Sequence, residues 1–175
     1  DKQELIDFIL SITQDGKRIG ERNMVDLQKI IYRYYYDPVT NGGNSIKDYL
    51  PAFLKSSKYL QSKYSKPIKE INLTSLNDPD GNIIWIKLKD GQILDPYKQL
   101  PPVFKHGEKE LAFEGTKDLE VKNGGAALVA YAYLQYVDLP TSDRKKIIDA
   151  LYRYCELDTL AMVMIYEGLL NIAKK

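Results

Sequence analysis

Two residues near the end of the chain have the types and the spacing to do chemistry together. Tyr154 and Asp158 lie four apart in the string Tyr154-Cys155-Glu156-Leu157-Asp158, so on a helix they stand one turn apart and point the same way. A carboxylate there can hold a divalent cation while the phenol orients a metal-bound water; phosphodiester cleavage with two metals uses such a pair plus further acids. Spacing alone does not separate this from an ordinary helix, where tyrosine and aspartate often fall four apart.

The basic run of residues 55–69 is a second candidate. Lys55, Lys58, Lys63, Lys66 and Lys69 occur there with no acid among them, interleaved with Tyr59 and Tyr64. The plain reading is a solvated surface. The functional one is a track for a single strand, with lysines on phosphates and rings under bases. Tyr34-Tyr35-Tyr36 reads as a half-buried helix face rather than a stacking platform. His106, the single histidine, has no cysteine or aspartate at ligand spacing and reads as a solvated loop residue rather than a zinc ligand. Cys155 falls on an apolar stripe and reads as core, since a nucleophile would want a basic neighbour. Gly124-Gly125 lacks the following Lys-Ser/Thr of a phosphate loop and reads as a helix entry.

The elements that must position these residues are mostly helical. Leu5, Ile6, Phe8, Ile9 and Ile12 predict a helix over 3–13, stopped by Asp15-Gly16. A second is predicted from Met24 to Tyr36, ended by Asp37-Pro38. Ser45 is the expected N-cap of a third, carrying Ile46, Tyr49, Leu50 and Phe53 on one face, although Pro51 argues against its continuing unbroken. Asp80-Gly81 and Asp90-Gly91 bracket a predicted strand, Asn82 to Leu88, with Gln92-Ile93-Leu94 as its hairpin partner. Prolines make 95–104 an extended connection, and 105–122 receive no element. Ala126 to Tyr136 predicts a helix. Another begins at Thr141-Ser142-Asp143, with Ile147, Ile148, Leu151, Cys155, Met162 and Leu169 down its apolar side.

The totals fit one compact domain spanning 1–175: 175 residues, 44% hydrophobic and 28% charged, which excludes wholesale disorder. The longest apolar stretch, Ala126 to Leu134, is well short of the ~20 residues of a bilayer span, so no membrane is expected. Twenty-five basic residues against 24 acidic ones leave no global field for nucleic acid. A single cysteine and no leader segment suit the reducing cytoplasm. Asp1 in the place of Met suggests a piece of a longer protein.

The Tyr-x-x-x-Asp pair resembles the third motif of the tyrosine-type branch of the DEDD 3'-5' exonucleases, which have an RNase H-like fold. RYCELDTLAMVMIYE (153–167) is similar to the C-terminal signature of a bacterial family of domains of unknown function related to those exonucleases. ERNMVDL (21–27), RYYYDP (33–38), GNSIKDYLPAFL (43–54), YLQSKYSKPI (59–68), DPYKQLPPVF (95–104) and GGAALVAYAYLQY (124–136) resemble that family in the same order, so the likeness runs from about Glu21 to Glu167. Members often carry a RecB-type nuclease region upstream.

The resemblance implies an α+β fold, predominantly helical with a short β-hairpin, corresponding to the C-terminal portion of an RNase H-like exonuclease domain. It gives Tyr154 the role of water-positioning tyrosine and Asp158 that of the last metal-binding aspartate. Asp26 matches a structural position. The remaining acids of the pattern, an Asp-x-Glu on a first strand and a mid-domain Asp, have no counterpart here. The expected function is therefore part of a metal-dependent nuclease, using two Mg²⁺ or Mn²⁺ in its intact parent and holding no metal as this segment alone. Its expected partner is a single-stranded 3' end. The alternative is a non-catalytic nucleic-acid-binding or protein-interaction module. Apolar helix faces left uncovered by missing strands would be buried in a homodimer or a rearranged core.

Overall fold

The computed structural model describes residues 1–101 and 124–174. The chain divides into two compact units, 1–36 and 37–175. In the first, α1 (Lys2–Ile12) is followed by a hairpin of β1 (Gln14–Asp15) and β2 (Arg18–Ile19), then by α2 (Leu27–Tyr34). Asp15-Gly16 does stop the helix, but by turning the chain into a hairpin, with Gly16 at a positive φ of 55°. The helix expected from Met24 begins only at Leu27, because the Asp26 carboxylate accepts the Lys29 amide and caps it. It ends at Tyr34, leaving Tyr34 and Tyr36 exposed rather than half-buried.

The second unit is built from α3 (Ile46–Ser56), α4 (Lys58–Tyr64), a hairpin of β3 (Leu88–Lys89) and β4 (Gln92–Ile93), α5 (Gly124–Tyr136) and the long α6 (Thr141–Ala173). It is helical with one small antiparallel hairpin, an α+β arrangement. The Ser45 amide and hydroxyl both donate to Asp48 Oδ2, at 2.9 and 2.7 Å, and fix the start of α3. Pro51 does not break this helix. Its ring removes the donor that would reach the Lys47 carbonyl, at a cost near 3 kcal/mol. The burial of Leu50, Ala52, Phe53 and Leu54 around it offsets that cost.

The core of this unit lies where α6 meets α3 and α4. The buried side of α6 is Ile147, Tyr154, Leu157, Ala161, Met164, Ile165 and Gly168, rotated from the stripe predicted through Cys155 and Met162. Cys155 is exposed and Met162 is half-exposed. The rotation has a cause: Gly168, which carries no apolar side chain, occupies the close approach of α6 to Phe53 and Leu60.

The strand expected over Asn82 to Leu88 survives only at its end, as β3. Earlier in the segment the Ile86 amide donates to the Tyr64 carbonyl and the Ile83 carbonyl accepts from Ile68, so this stretch is tied to the end of α4 instead of to a sheet. The stretch 95–104, expected to be extended, contains a 3-10 turn over Pro96–Gln99, because the Asp95 carboxylate caps the Tyr97 amide at 3.0 Å. His106 and all of 105–122 lie outside the described residues. Among the described residues no helix is long and apolar enough to cross a membrane.

Candidate functional site

Tyr154 and Asp158 share one face of α6, as their spacing requires, and that face is the inward one. Leu157 and Ala161 are fully buried beside them. Tyr154 is buried as well, while Asp158 is half-buried. The Pro96–Gln99 turn brings Tyr97 opposite, and its hydroxyl donates to Asp158 Oδ1 at 2.5 Å. The two phenol rings lie 5.9 Å apart at 47°, a tilted pairing typical of packed aromatics. Lys47, in the first turn of α3, sets its Nζ 4.3 Å from the Tyr97 ring centre and 5.1 Å from that of Tyr154. Three elements thus converge on one carboxylate.

The charges follow from this packing. Burial raises the Tyr97 phenol well above its ordinary range, and the hydrogen bond to Asp158 and the charge of that carboxylate add to it. Tyr154 is raised in the same direction, by burial first and then by the charge of Asp158 and hydrogen bonding to it. Burial lowers the Lys47 ammonium, with Asp158 and Asp95 pulling the other way. Both phenols are therefore neutral hydrogen-bond donors to a carboxylate, beside a cation.

Such an arrangement orients a carboxylate firmly. Among the described residues no group of three or more His, Cys, Asp or Glu side chains is placed to hold a metal ion. Two divalent ions in one site each need several oxygens. Next to Asp158 stand two phenols and an ammonium, and the ammonium competes with any cation for that carboxylate. The described residues do not fit a two-metal group.

The six residues expected on a nucleic-acid track divide between surface and core. Lys55, Lys58 and Lys66 are exposed, and Tyr59 is half-exposed. Tyr64 is in the core, 1% exposed, and its hydroxyl donates to Glu167 Oε2 at 3.1 Å. Lys63 pairs with Glu167 Oε1 at 2.6 Å. Those two side chains fasten α4 to α6. Burial and the Glu167 charge raise the Tyr64 phenol in turn.

Tyr97, Lys47 and Glu156 were not singled out by sequence reasoning. Asp95-Pro96 is a capping signal for a short turn, and it could have located Tyr97. Nothing local marks Lys47. Glu156 accepts from the Ser75 hydroxyl and the Leu76 amide, and Asn77 donates to the Arg153 carbonyl at 3.2 Å, so a loop is docked along α6 two residues from Asp158. No family model, curated protein or solved structure matches the chain.

Proposed function

We propose that the chain engages nucleic acid as the tyrosine-and-last-aspartate portion of a 3'-5' exonuclease-like, RNase H-like domain, and that it does not cleave phosphodiesters by itself. The observation that carries this reading is the convergence of Tyr154, Tyr97 and Lys47 on Asp158. A phenol and a carboxylate one helical turn apart match the last motif that the sequence resembles, and the adjacent ammonium offers a phosphate a partner. The Lys47 ammonium beside Asp158, which would compete with a divalent ion for that carboxylate, supports the inactive half of the proposal.

The test is an end-labelled single-stranded oligonucleotide incubated with the chain and Mn²⁺. Both the chain and Asp158→Asn are expected to leave it intact while retarding its migration. In a salt titration, Lys47→Gln is expected to reduce the slope of log affinity by about 1. Cleavage that Asp158→Asn abolishes would show a site complete without further acids. Absence of retardation would remove nucleic acid from the reading.

A further inference from the structure

Between the hairpin of β3 and β4 and the helices α3 and α4 runs a cleft of about 1370 Å³. Pockets for small molecules typically measure ~300–1,000 Å³ and are largely enclosed; this one is larger and only half enclosed, which suits a segment of a macromolecule. Its floor is aliphatic. Leu54 comes from α3, Ile84 and Ile86 from the stretch tied to α4, and Ile93 and Leu94 from the hairpin. Lys55 and Lys58 stand on the helical wall and Lys87 on the hairpin wall, with Asp95 the single acid among the described lining residues.

The chemistry of the lining selects the occupant. No aromatic side chain is among the described lining residues, so bases would find no ring to stack on, and stacking carries much of single-strand affinity. Aliphatic floors instead receive aliphatic side chains. Cations on both walls favour carboxylates flanking them. We propose that this cleft binds an acidic, aliphatic peptide segment of a partner protein, with its apolar side chains against Ile86, Ile93 and Leu94 and its carboxylates toward Lys58 and Lys87. The proposal does not depend on the Asp158 cluster or on the nuclease-like reading.

The probe is a fluorescent ten-residue peptide of alternating glutamate and valine, titrated into the full chain and followed by anisotropy. A glutamine–valine peptide and a single-stranded oligonucleotide serve as comparisons. The acidic peptide is expected to bind, to weaken about tenfold with Lys58→Glu and Lys87→Glu together, and to weaken with salt. Far-ultraviolet circular dichroism checks that the double variant is folded, and amide chemical shifts should move at Ile93 and Leu94. Equal affinity for the glutamine peptide, unchanged affinity of the folded double variant, or no binding would each overturn the proposal. So would tighter oligonucleotide binding that moves the same amides, which would make the cleft a nucleic-acid site.

Discussion

Gly168→Leu is expected to destabilise the helical unit by about 3 kcal/mol or more, at the upper end of what overpacking a core costs. At this position α6 passes so close to α3 and α4 that even a methyl group has no room. A Cβ on Gly168 would lie 2.6 Å from Phe53 Cδ1 and 3.3 Å from Leu60 Cδ1, and both neighbours are fully buried. Neither end of the contact can swing into solvent. Gly168→Ala should lose less, about 1 kcal/mol net, because alanine regains ~1 kcal/mol of helix propensity against the clash. Thermal unfolding should register roughly 2–4 °C for each kcal/mol. Pairing Gly168→Ala with Phe53→Leu separates clash from other causes. Relief of the crowding predicts that the double variant loses less than the two single losses summed, by at least about 0.5 kcal/mol. Simple additivity would show that the ring is not what Gly168 accommodates.

The second large effect is alkaline unfolding. Tyr64, Tyr97 and Tyr154 are all held above the ordinary phenol range, by burial first and by neighbouring carboxylates second. A phenol raised on folding stays protonated where the unfolded chain's phenols ionise. Its contribution to stability is complete below pH ~10 and is lost as pH climbs toward the folded value. Lys47 is lowered on folding and acts oppositely, its cost disappearing as pH rises to about 10.4. The three phenols all act in one direction beyond that point. The protein is expected to unfold cooperatively in alkali. In absorbance at phenolate wavelengths, Tyr64, Tyr97 and Tyr154 should ionise only with that transition. Smooth ionisation of these three near the ordinary value, with the fold intact, would contradict the packing around Asp158 and Glu167.

What was legible in the sequence was local. The Ser45 cap and the four-residue spacing of Tyr154 and Asp158 are set by neighbours a turn away, and the structure has both, whereas α2 ends at Tyr34, before the expected Asp37-Pro38 stop. The partners of Asp158 were not legible, because Tyr97 is 61 residues from it in sequence and Lys47 belongs to another helix. The lysine-rich run shows the same limit from the other side. Its composition is basic, yet Lys63 and Tyr64 face inward because Glu167 lies across from them. The hairpin at 14–19 and the rotated face of α6 went unread for a related reason: glycine carries no hydropathy signal, although Gly16 permits a turn and Gly168 a close approach.

The docking of Ser75 and Leu76 onto Glu156 has a consequence in time as well as in place. Those hydrogen bonds join residues 81 and 80 apart in the chain, so they can form only after α6 has come to rest against the segments that precede it. The entropy of closing so long a loop must already have been offset by other contacts. The clamp therefore belongs to the late side of the folding barrier. A Glu156→Gln chain should fold at nearly its original rate and unfold faster, a change confined to one limb of the denaturant dependence.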